Sequence, residues 1–80
     1  MNTQLVSKTY RIAGVRDDLE VKAIMQQLYD IFTAQGIGQA AVELAGAEQR
    51  LVVKHRPDQE PDRQAIADAM ARAGNFKLLD

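Results

Sequence analysis

Asp17-Asp18-Leu19-Glu20-Val21-Lys22-Ala23-Ile24-Met25-Gln26-Gln27-Leu28-Tyr29-Asp30-Ile31-Phe32, followed by Gly36, is the stretch that decides the fold. Val21, Ile24, Met25, Leu28, Ile31 and Phe32 recur at the spacing of one helical face. Lys22, Gln26, Gln27, Asp30 and Thr33 fall on the opposite, wet face. The spacing predicts one helix over 17–35, with Gly36 as its left-handed terminator. A helix with one oily stripe cannot stand alone in water, so the flanking segments must supply a surface to cover it.

Outward from this helix the period changes to two. Leu5 to Ala13 reads as a strand, with Tyr10 and Ile12 sharing a face and Gly14 ending it. Gln39 to Leu44 reads as a second strand with Ala40, Val42 and Leu44 on one side. Gln49 to His55 reads as a third, with Leu51 and Val53 together. Ala45-Gly46-Ala47-Glu48 between them is a hairpin turn. A second helix is expected from Pro61, suited to a first helical position by its missing N–H, to Ala73. Ile66, Ala69, Met70 and Ala73 face inward there, Asp68 and Arg72 form an i,i+4 pair outside, and Gly74 stops the helix. Asn75 to Leu79 closes the chain as a strand with Phe76 and Leu78 alternating. The order β-α-β-β-α-β predicts an α+β, ferredoxin-like fold. Two helices lie on one face of a four-stranded antiparallel sheet, in a single domain spanning 1–80. The other sheet face is expected to be wet, with Arg11, Glu43, Lys54 and Lys77 among its strand residues.

Composition narrows the functions open to such a domain. The 80 residues carry 10 Lys and Arg against 11 Asp and Glu, for a net charge of -1, with no basic block. That argues against non-specific nucleic-acid binding. The sequence has no Cys. This excludes disulfides, iron–sulfur clusters, thiolate metal sites and a thiol nucleophile. No apolar run approaches the roughly 20 residues of a membrane span, and the start of the chain lacks a leader pattern. The expectation is a soluble, cytoplasmic protein, or a soluble piece of a larger one. A domain of this size buries only roughly 60–65% of its unfolded surface, so its stability margin is small. No nucleophile–base set can be drawn, and no enzymatic activity is expected. Gly36-Ile37-Gly38 follows a helix and does not open one, so it is a terminator and not a phosphate loop. An RNA-binding version of the fold needs exposed aromatics on the central strands. Only Tyr10 lies there, and its parity points it at the helices.

Several segments resemble the heavy-metal-associated domain of copper chaperones and of the N-terminal repeats of metal-transporting ATPases. Gly14-Val15-Arg16-Asp17-Asp18-Leu19-Glu20 is similar to that family's Gly-Met-x-Cys-x-x-Cys, and Ile24 and Leu28 follow at its apolar spacing. Gly36-Ile37 with Val42 and Leu44 is similar to its second strand. Ile66, Ala69, Met70, Ala73 and Gly74, with Phe76 one place late, are similar to its last helix. The resemblance implies the ferredoxin-like fold, a metal-binding or metal-transport role, and a metal transporter or another protein domain as partner. It implies metal ligands at Asp17 and Glu20, where the family keeps cysteines. Carboxylates are hard donors and do not replace thiolates for copper(I), so a copper carrier is not expected. The span from Glu20 to Gly36 is also roughly one helical turn longer than in the family.

Two readings of the acidic corner stay open. Asp17-x-x-Glu20 before an apolar run is a capping-box pattern, and acids at a helix start favour its dipole. Asp17, Asp18 and Glu20 are also candidate oxygen ligands for zinc, nickel, cobalt or manganese, with water completing the shell. His55 is expected at the opposite end of the sheet as a surface residue, and Met25 and Met70 as core packing. The functions carried forward are a carboxylate-bearing metal domain, an interaction module on the same fold that has lost its metal, and a small-molecule regulatory domain. The interaction module is expected as a monomer or weak dimer.

Overall fold

The computed structural model describes residues 4–79; Met1–Thr3 and Asp80, counted in the single domain above, lie outside the described residues. The elements are β1 Val6–Ala13, α1 Asp18–Tyr29, α2 Phe32–Gln35, β2 Ile37–Ala45, β3 Glu48–His55, α3 Arg63–Ala73 and β4 Lys77–Leu78. The strands form one antiparallel sheet in the order β2-β3-β1-β4. This is the expected ferredoxin-like α+β arrangement, with α1 and α3 on one face.

The core lies between that face and the helices. Tyr10 and Ile12 of β1, and Leu51 and Val53 of β3, are buried from the sheet side. Ile24 and Leu28 of α1 and Ile66, Ala69 and Met70 of α3 are buried from the helix side, while Met25 is half-buried at the edge. Each fully buried large side chain contributes about 1.5–3 kcal/mol, so the two predicted stripes supply the main driving force. The phenol oxygen of Tyr10 is buried without a hydrogen-bond partner. Burial raises its pKa above the ordinary value, with the nearby Lys8 ammonium opposing.

The long first helix is broken. α1 ends at Tyr29, and the N–H of Ile31 reaches back three residues to the carbonyl of Leu28 at 3.0 Å. A tightened turn then leads into α2, whose start has no side-chain cap. The break folds Ile31 and Phe32 down against the end of the core. A straight helix would have carried them past it. Gly36 (φ +69°) closes α2 in the left-handed region, as expected. β2 starts at once, at Ile37, through a bulge between Ile37 and Gln39. Gly46 (φ +62°) followed by Ala47 at negative φ gives the two-residue β2–β3 hairpin.

The start of α3 also departs from expectation. Asp62, not Pro61, is the N-cap, its carboxylate accepting the N–H of Gln64 at 3.0 Å. Pro61 sits one place earlier and is buried, as is Ile66 four places into the helix. These are the two positions of a hydrophobic staple. The expected Asp68–Arg72 pair does not form. Asp68 accepts from the Gln64 amide at 2.9 Å, and Arg72 reaches across to Gln27 of α1 at 3.2 Å.

At the end of the sheet away from Gly14, the α2–β2 junction and the β3–α3 loop are cross-linked. Gln59 donates to the carbonyl of Ala34 at 2.6 Å, and the N–H of Asp62 donates to the Gln35 side chain at 2.7 Å. The N–H of Arg56 donates to the carbonyl of Gly36 at 2.9 Å. His55 is buried here, not on the surface as expected. Its Nδ1–H is shared between the carbonyls of Arg56 and Gln59 at 2.8 and 2.9 Å. Its inward parity with Leu51 and Val53 carries the ring under the loop.

Candidate functional site

The β1–α1 corner is built by Gly14, Val15 and the first turn of α1. Gly14 has φ +101°, and a Cβ there would lie 2.7 Å from the carbonyl of Asn75. Only glycine lets the chain leave β1 this close to the α3–β4 connection. Val15 is buried, and its backbone pairs twice with one side chain. Its N–H donates to Gln49 Oε1 at 3.0 Å, and Gln49 Nε2 donates to its carbonyl at 2.6 Å. The Gln49 amide thus acts as a short length of strand, fixing the corner to β3.

From this anchor the first turn of α1 presents its side chains. Asp17 is the N-cap, its Oδ1 accepting the N–H of Glu20 at 3.0 Å. Glu20 turns back as a capping box requires, but meets the N–H of Arg16 at 2.6 Å, one residue before the cap. Its other oxygen takes the Arg16 guanidinium at 3.0 Å. The Arg16 side chain, then the Arg16 N–H, hold the Glu20 carboxyl below the usual carboxylate range. The same contact raises Arg16. Asp18 is exposed beside them.

The structure therefore brings Asp17 and Glu20 to one turn and gives both of them backbone partners. Among the described residues, no group of three or more His, Cys, Asp or Glu side chains is placed to hold a metal ion. The donor set is all carboxylate, which does not fit the soft ion that the resemblance implies. His55 pairs across the ladder with Val6 and Ile37, at the far end of the sheet from Asp17, as expected.

Beside the acidic turn lies a cleft of about 490 Å³. Leu19, Ala23 and Glu20 of α1, Ala73 and Gly74 at the end of α3, Asn75 and Phe76 form its walls, with Arg16 at the rim. Leu19 is 75% exposed at its mouth. Neither Leu19 nor Gln49 stood out in the sequence. For Gln49 a signal existed: it shares the inward parity of Leu51 and Val53, where a polar residue needs a partner. For Leu19 the signal was an oily residue outside the stripe that starts at Val21.

The outer sheet face carries Thr9, Arg11, Glu43, Arg50, Val52 and Lys54 in cross-strand register. No aromatic side chain stands among these residues, and Tyr10 is turned to the helices. The base-stacking surface of an RNA-binding sheet is not formed by them. Among the described residues no helix is long and apolar enough to cross a membrane. No family model, no curated protein and no solved structure matches this chain.

Proposed function

We propose that this is a non-enzymatic binding domain that docks a protein partner at the β1–α1 corner. The observation that carries this reading is the cleft: it has an apolar wall, a leucine 75% exposed at its mouth and an arginine at its rim. An apolar concave wall made by Leu19, Ala23, Ala73 and Phe76 together, with a charged rim, has the apolar-centre, polar-rim make-up of a protein-recognition patch. The resemblance to heavy-metal-associated domains is in keeping with docking, since domains of that family recognise partner domains by charged surfaces.

The metal reading asks more of the same residues. For zinc, nickel, cobalt or manganese to bind at Asp17, Asp18 and Glu20, Glu20 must loosen its hold on Arg16, while Asp17 can offer Oδ2 and keep Oδ1 on the cap. Freeing Glu20 gives up its contacts to the Arg16 N–H and guanidinium, a cost to be recovered from the ion. The docking reading keeps every cap in place.

The test is affinity capture from the native cell extract with the wild-type chain, Leu19→Glu and Arg16→Glu. Circular dichroism should show both variants folded, with Arg16→Glu somewhat less stable because it loses the pair with Glu20. A protein retained by wild type and lost with both variants is the expected result. Identical retention on all three sinks the docking reading. In parallel, the four metal ions are titrated while the amides of 16–20 are followed by NMR. A saturable shift confined to those residues would replace docking by metal binding.

A further inference from the structure

We propose that β2 is a dimerisation edge, pairing antiparallel with β2 of a second copy about a two-fold axis through Ala41. β2 is the outermost strand, nine residues long, and its sequence IGQAAVELA holds one charge, Glu43, and no Lys, Arg or Pro. Exposed edges normally carry charges, prolines or short strands to prevent pairing. The opposite edge, β4, has two residues. β2 has only the bulge at its start.

The phase of the ladder limits the register to even sums of paired positions, and the side chains choose among them. In a two-residue hairpin the residues flanking the loop exchange both hydrogen bonds, so Ala45 bonds Glu48 of β3. By alternation Glu43, Ala41 and Gln39 also turn their backbone groups to β3. Ala40, Val42 and Leu44 turn theirs to the open edge. A two-fold at Ala41 then places Ala40 opposite the partner's Val42, and Val42 opposite the partner's Ala40, with all their backbone donors and acceptors paired. Shifting the sum of paired positions by one would set an outward residue against an inward one and lose the bonds.

The side chains complement themselves in this register. On the outer face Gln39 meets the partner's Glu43, twice over. Lys54 is the ladder neighbour of Gln39, and it has no ion-pair partner among the described residues. The approaching Glu43 carboxylate, which faces Arg50 of its own chain at 3.9 Å, supplies one. On the helix side Leu44, 45% exposed, is brought opposite the partner's Gly38. There a groove of about 290 Å³ is lined by Leu5, Phe32, Thr33, Gly36, Ile37, Gly38 and Arg56. Leu5 is itself 38% exposed. The knob and the hollow belong to opposite ends of one strand, so two-fold symmetry fills both hollows at once. The β1–α1 corners stay open, because they lie beside β4 at the other edge of each sheet.

Sedimentation and crosslinking test this. The wild-type chain should sediment as a dimer at high micromolar concentration. Ala41→Lys sets two ammonium groups face to face on the axis and should weaken association about tenfold or more, with circular dichroism unchanged. On the axis the two Ala41 Cα atoms form a non-hydrogen-bonded pair about 4.5 Å apart, within disulfide reach. Ala41→Cys should therefore give a reducible crosslinked dimer under mild oxidation, much faster than Ala47→Cys in the exposed turn. A wild-type chain that stays monomeric, an Ala41→Lys chain that still dimerises, or equal crosslinking at 41 and 47 would overturn the proposal. So would a wild-type monomer whose β2 edge takes up another protein's strand.

Discussion

Replacing Gln49 by Met keeps the length and most of the volume of the side chain and removes both of its hydrogen bonds to Val15. The amide donates at 2.6 Å and accepts at 3.0 Å, and Val15 is buried. Each such bond is worth about 1 kcal/mol net, and a buried backbone group left unpaired costs about 1–3 kcal/mol. Met recovers part of this by its greater oiliness, and water can reach part of the loop. The expected loss is therefore about 2–3 kcal/mol. A domain of this size has a total of about 4–12 kcal/mol, so the variant should still fold. Its melting temperature should fall by about 10–20 °C, at about 4–8 °C per kcal/mol. Thermal and urea unfolding followed by circular dichroism give the magnitude, and hydrogen exchange at the Val15 amide gives the cause. A stability change within about 0.5 kcal/mol, or a Val15 amide as protected as in wild type, would refute the claim that Gln49 holds the corner.

Two further outcomes concern the same corner. Gly14→Ala forces a side chain at φ +101° against the Asn75 carbonyl, and should cost about 2 kcal/mol or more in urea unfolding; a neutral result would mean that the α3–β4 connection yields freely. The folded Glu20 carboxyl is held below its ordinary value, so its contribution is complete above the unfolded carboxylate range and lost as pH falls through the folded value. Glu20→Gln should therefore be less stable than wild type at about pH 7, the gap closing by about pH 3 and narrowing with added salt; a gap that persists in acid would show that the ion pair is not its source.

The order of strands and helices was legible because it rests on periodicity, and periodicity is what burial selects. Ile24, Leu28, Ile66 and Met70 could be placed in the core from spacing alone. The break after Tyr29 was not legible. Ile31 and Phe32 continue the oily stripe whether the helix runs straight or folds over, and only the length of the sheet beneath decides. The ring of Pro61 suits a first helical position, but the carboxylate of Asp62 is the stronger local signal for a cap. The Asp68–Arg72 pair failed because Gln64 and Gln27, from the same helix and its neighbour, offer closer partners. At the corner, Asp17 as N-cap followed from its spacing to Glu20. Gln49 acts across 34 residues of sequence, where no local pattern reaches. The burial of His55 has the same origin, since the carbonyls that satisfy it come from a loop whose path only the complete fold defines.

The lashing at the end of the sheet away from Gly14 has a consequence for how the molecule comes apart. Gln59, Arg56 and Asp62 belong to the second half of the chain, and Ala34, Gln35 and Gly36 to the first. Each half thus fastens the other's connecting bend, like two hooks closed on one ring. Neither half can unravel without releasing the other's bend, so the two halves are expected to unfold together as one cooperative unit.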